Sequence, residues 1–183
     1  TFLAALTVLG SVAYSIAYAE WMPGLSVILL AVFFGLLAGT ALSFSSFPRW
    51  TAHLASVIYG LFCVAVFGGT RPDIALLDDW RERIFLMLDK VTVWMREAMN
   101  NGTSRETLIF VLILSSLFWV LGYTAGWYSF RTRRIWHVIL PAGVTLFSNV
   151  YYYAGDKSML PFLIVYLVSV VVLLALSHLA DRE

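Results

Sequence analysis

The chain holds one cysteine, Cys63, and it follows His53 by ten positions in the same apolar stretch. A nucleophile and its base must lie within hydrogen-bond reach. Ten residues of helix hold them about 15 Å apart along the axis. The pair therefore reads as a small apolar cysteine and an interfacial histidine. A lone cysteine excludes an internal disulfide and a multi-cysteine metal site. His53, His137 and His178 all fall near span ends on one side, but their spacing is not a ligand pattern. Asn149 is the most buried-looking strongly polar side chain, placed to bond another helix. Trp119, Tyr123 and Trp127, at i, i+4 and i+8, form an aromatic ridge. Packing or lipid contact is its ordinary reading, and a pigment or quinone contact the remoter one. These residues predict no catalytic set, no metal and no cofactor.

The elements that must position these residues are apolar. Of 183 residues, 61% are hydrophobic and 13% charged, whereas soluble domains are nearer half apolar and a quarter charged. This is the composition of a polytopic membrane protein. A net charge of +1 predicts no strong pull toward nucleic acid. Spans of about 20 residues are expected at 2–18, 25–44, 51–67, 108–130, 137–153 and 160–179. No ionisable side chain falls at mid-span, which disfavours a proton-coupled transporter. The first span serves as its own insertion signal. With no Met at its start, the sequence reads as a portion of a longer protein.

Between the third and fourth spans lies the only long charged segment, Asp73 to Asn101. Leu77, Trp80, Ile84, Met87, Val91, Trp94 and Ala98 recur at steps of three and four, with most charges opposite. The pattern predicts one amphipathic helix lying flat at the membrane interface. Asp73 is its expected N-cap and Gly102 its C-terminal stop. Thr103 with Glu106 reads as a capping box opening the next span, and the Asn101-Gly102-Thr103 sequon is read as cap chemistry. Phe85, Leu86 and Val93 fall on the charged side and form a candidate partner surface.

The expected fold is thus all-α: six transmembrane helices plus one interfacial amphipathic helix between spans three and four. The chain divides into three spans over 1–69, the interfacial segment over 70–107, and three spans over 108–183. Gly35 and Gly39, and Gly122 and Gly126, have the small-xxx-small spacing that admits close helix approach. They are expected to pack within the bundle. An inverted repeat of the two halves finds no matching features. The short turns on the side of the termini carry Arg49, the cluster Arg131, Arg133 and Arg134, and Arg182. The opposite short turns carry only Lys157. This bias predicts cytoplasmic termini and an external interfacial helix.

The order of features resembles the membrane-embedded N-terminal region of bacterial transglutaminase-like membrane proteins. The resemblance rests on Trp21-Met-Pro23-Gly24, Phe47-Pro-Arg49-Trp50, the Trp-containing amphipathic segment, and Gly102-Thr103-Ser104. It continues through Trp119-Val-Leu-Gly122-Tyr123, Trp127 with Arg131-Thr-Arg133-Arg134, and Asn149-Val-Tyr151-Tyr152. It implies a bacterial plasma-membrane anchor for an extracytoplasmic domain with a papain-like Cys-His-Asp set, beyond Glu183. No catalytic residue of that set falls in this chain, so the chain itself is expected not to be an enzyme. The expected partners are the lipid bilayer and further protein, with no nucleic acid. The alternative is a non-catalytic accessory subunit of a larger respiratory or photosynthetic complex.

Overall fold

The structure is a computed structural model that describes residues 1–100 and 106–180. Among these the chain is all-helical, with no strand. The helices are α1 (Phe2–Ala19), α2 (Val27–Ser43), α3 (Arg49–Gly69), α4 (Pro72–Ala75), α5 (Trp80–Met99), α6 (Thr107–Phe130), α7 (Trp136–Tyr152) and α8 (Leu160–Ala180). Four of them, α1, α3, α6 and α8, are long and apolar enough to cross a membrane. The expected count was six. The difference lies in α2 and α7, each of 17 residues, or about 25 Å of helix against a hydrocarbon core of ~30 Å. At the start of α2, the Ile28 and Leu29 amides bond back to Leu25 and Ser26 in tight turns. In α7, Pro141 sits inside the helix, where it lacks an amide donor.

The bundle is built on α2 and α6. Gly35 and Gly39 face the α6 backbone at Trp119 and Tyr123, and Gly122 and Gly126 face the α2 backbone at Val32 and Leu36. A methyl group at Gly35 would come within 2.5 Å of the Trp119 carbonyl oxygen. Each helix thus offers bare backbone where the other needs room. Around this seam α1, α7 and α8 complete a core of Leu9, Ile28, Leu36, Phe118, Leu146 and Leu173. α3 packs on the other side of α2 and α6, through a smaller cluster of Ala52, Trp119, Tyr123 and Trp127.

Polar contacts sort the connections into two ends. Lys157 pairs with Glu20 at 2.9 Å, and Arg71 packs over Gly24. The α1–α2 turn, the α7–α8 turn and the segment after α3 therefore share one end. At the other, Arg131 donates to the carbonyls of Ser43 and Ser45, so the α2–α3 and α6–α7 turns meet. The meeting of these turns follows from helices that alternate in direction.

The charged segment departs from its expected form. It is two helices, with 76–79 as the break. Asp79, not Asp73, caps the long one: its carboxylate accepts from the Arg81 amide at 2.9 Å. Asp73 lies in the first turn of α4 and accepts from Arg71. Leu77 consequently falls in the connector rather than on the α5 stripe. Asn101, Gly102 and Thr103, with the cap chemistry expected of them, lie outside the described residues.

Candidate functional site: a clamped surface helix and a lateral aromatic cleft

Helix α5 is held by a side chain that pattern reasoning assigns to water. Arg83 donates to Leu77 O (2.7 Å), Ala75 O (3.1 Å) and Gly69 O (3.3 Å), and its guanidinium lies over the Trp80 ring at 5.0 Å. The carbonyls at a helix C-terminus have no partner within the helix, and they carry its partial negative charge. One guanidinium therefore closes the ends of α3 and α4 and fixes the start of α5. Lower on the same face, Met87 is buried with Ile74 and Leu108. Lys90 then pairs with Glu106 at 3.3 Å beside α6.

The docked face of α5 is therefore Arg83, Met87, Lys90 and Trp94. Trp80, Ile84, Leu88, Met95 and Met99 form an exposed apolar stripe along one side of it, and Glu82, Asp89 and Arg96 stand exposed beyond. The three residues of the candidate partner surface separate. Leu86 is half-buried against the Ile74–Met87–Leu108 cluster, whereas Phe85 and Val93 are exposed. No single outward patch contains all three.

Above this clamp Arg71 is 4% exposed. Its Nε reaches Asp73 at 3.0 Å and one terminal nitrogen reaches Thr107 at 3.2 Å. It ties α4 to the start of α6. Nearby, the Lys157 ammonium is pushed above its ordinary value by its hydrogen bond to Glu20. Its contribution to stability is complete below the ordinary lysine range and disappears as pH rises through the raised value. Exposed pairs contribute little, so this one marks which turns meet rather than what holds them.

The second feature is a cleft of about 320 Å³ between α3 and α6. Its floor is the aromatic ridge, now seen against α3. The Tyr123 hydroxyl lies 2.6 Å from His53 Nδ1, and the Trp119 indole donates to Ser56 Oγ at 3.3 Å. The His53 ring also lies 5.0 Å from Trp127. Gly60 lets the Trp119 ring lie close against α3, since a methyl group there would meet the ring at 2.6 Å. Cys63 packs beside this aromatic cluster. The spacing of Trp119, Tyr123 and Trp127 exposed the ridge in the sequence. The partnership with His53 was invisible, because 70 positions separate His53 from Tyr123.

Asn149 receives the Trp21 indole proton at 2.8 Å and donates to Ser15 at 3.2 Å. It joins α1, α7 and the α1–α2 turn, a structural bond between helices. Such bonds in membrane proteins average ~0.6 kcal/mol. Asn149→Leu breaks two and leaves Trp21 unpaired, so a loss of about 1–2 kcal/mol is expected. Thermal unfolding in detergent checks this; an unchanged midpoint would show that the two bonds carry no stability.

His137 stacks on Tyr128 with centroids 4.1 Å apart, remote from the His53 pair. No group of three His, Cys, Asp or Glu side chains poised for a metal occurs among the described residues. Arg131, besides its two carbonyls, covers Trp127 at 5.4 Å. Arg133 takes a left-handed φ of 53°, turning the chain into α7, and Arg134 is exposed with its amide bonded to Tyr128 O. The positive cluster is thus partly structural.

Fold and site together define, among the described residues, an all-helical protein with apolar helices suited to lipid contact, a docked charged helix and a lateral cleft. No protein-family model, curated protein or solved structure matches this chain.

Proposed function

We propose that this chain is a non-catalytic membrane module that anchors and positions an extracytoplasmic transglutaminase- or protease-like domain. In this reading α2 and α7 also span, giving six spans in a bacterial plasma membrane, with both ends cytoplasmic. α5 lies on the external face, its Trp80–Ile84–Leu88 stripe in the lipid interface. The observation that carries the reading is the Arg83 clamp. A helix that only rested on lipid would need no guanidinium bonded to three carbonyls. Fixed in this way, α5 is a platform of set height and direction. The exposed Phe85, Glu82, Asp89 and Arg96 face the side where such a domain would stand.

The accessory-subunit reading draws on α8. Leu167, Val168, Val171 and Val172 are exposed along it, an apolar face suited to a partner helix as much as to lipid.

Two experiments test the proposal. Asn100→Cys in a Cys63→Ser background should react with a membrane-impermeant maleimide added outside intact cells; reaction only after the cytoplasmic face is opened would reverse the topology. The native polypeptide should carry a Cys–His–Asp domain in the same chain. A native polypeptide without one, purifying in fixed ratio with respiratory or photosynthetic subunits, would replace the anchor reading with the second.

A further inference from the structure

The α3–α6 cleft does not end at mid-helix. A second groove of about 410 Å³ runs between α6 and α5, from Ile109 and Leu112 past Trp94. Ser116 and Val120 line both, so the two are sections of one track along α6. From Ile109 to Trp127 that track is about 27 Å long at 1.5 Å per residue. One side is open, flanked by Leu61, Leu117 and Val120, each more than half exposed.

We propose that this track binds one isoprenoid quinone, its ring at the His53–Tyr123 end and its tail running along α6 toward α5. The length selects the tail. A hydrocarbon core of ~30 Å gives each leaflet about half that depth, which is the reach of an ordinary acyl chain. A track of nearly the full core suits a chain that passes from one leaflet into the other. The chemistry of the head end selects the ring. Tyr123 and Trp127 line the head end with their rings buried and tilted by 30° to each other, an aromatic wall against which a planar ring packs. With the Tyr123 hydroxyl donating to Nδ1, His53 Nε2 carries the ring proton and has no partner among the described residues. It is a donor for a ring carbonyl. No Lys, Arg, Asp or Glu lines either section, and Arg131 beyond Trp127 is engaged by the Ser43 and Ser45 carbonyls, so an isoprenoid phosphate would bring a charge into a track with no cation lining it. Each section also falls in the size range of small-molecule sites, ~300–1,000 Å³.

The proposal concerns binding alone and stands independently of the anchor reading. The test is native mass spectrometry of the whole chain in detergent with three probes: a benzoquinone with a long isoprenoid tail, the same ring with a single isoprene unit, and a long-chain isoprenoid phosphate. A one-to-one adduct with the long-tailed quinone is expected, at least tenfold tighter than either other probe. Ile113→Trp narrows the α5–α6 section alone, from an exposed position, and should remove most of the tail's advantage while leaving the short probe's binding as it was. Leu117→Trp should do the same from the open side. His53→Leu should weaken both quinones about tenfold. Equal binding of the isoprenoid phosphate, adducts with phosphatidylcholine at the same level, or indifference to both Ile113→Trp and Leu117→Trp in variants of unchanged thermal midpoint would each overturn the proposal.

Discussion

Gly39→Leu and Gly122→Leu will each destabilise the bundle more than Leu36→Ala does. Leu36 is fully buried, and truncating such a leucine costs about 2–5 kcal/mol through lost contact and residual cavity. The glycines differ in what stands opposite. A side chain at Gly39 would meet the Tyr123 carbonyl and the Trp127 amide, and one at Gly122 the Val32 carbonyl and the Leu36 amide. A flexible side chain gives way at small cost, but helical backbone does not. The two helices must separate along the whole seam, losing the van der Waals contact that holds membrane helices together. Thermal unfolding of the three variants in detergent reads the result. Midpoints indistinguishable among them would mean that α2 and α6 do not depend on close approach.

Arg83→Ala will release α5 while leaving the bundle folded. Hydrogen bonds from charged donors contribute about 1.5–3 kcal/mol each when well shielded. Arg83 is only half-buried, so the three together are expected to contribute about 2–4 kcal/mol to docking. The loss is local, because Met87 and Lys90 still hold the middle of the helix. Hydrogen exchange at 80–90 should speed up at least tenfold, with little change in α2 and α6. Arg83→Lys should rescue poorly, since a point charge cannot reach three carbonyls in a fork. Unchanged exchange in Arg83→Ala, or full rescue by lysine, would remove the clamp from the account.

Features separated by one helical turn were legible in the sequence, and features that join distant segments were not. The four glycines stand four apart on each helix, and that spacing alone marks a face of close approach. The apolar arc of α5 was legible for the same reason. Which part of the arc docks was not. The docked face is turned by roughly 70° from the middle of the arc, toward Arg83 and Lys90, on a wheel of 100° per residue. Wheel reasoning assigns charge to water, but here the bundle offers charges and carbonyls of its own: Glu106 for Lys90, Gly69 and Ala75 for Arg83. That is also why Leu86 turns inward. The break before α5 was missed because Asp73 and Asp79 are equally good caps by residue type. What decides between them is Arg71, which occupies Asp73 and leaves Asp79 to cap. The lateral cleft required His53 and Tyr123 to meet across the α3–α6 interface, information that no local window contains.

The α2–α6 seam also sets a timetable. About 90 residues separate Gly39 from Gly126, and at ribosomal rates of ~5–20 residues per second the second half of the seam is synthesised on the order of ten seconds after the first. Until then the glycine face of α2 is uncovered, complementary to nothing yet made. Whatever occupies that face in the interval must leave for α6 to dock. A nascent chain halted before α6 would retain an unclosed zipper, available to the same face of a neighbouring copy. The feature that gives the finished molecule its tightest joint is therefore the one most exposed to mispairing while it is being built.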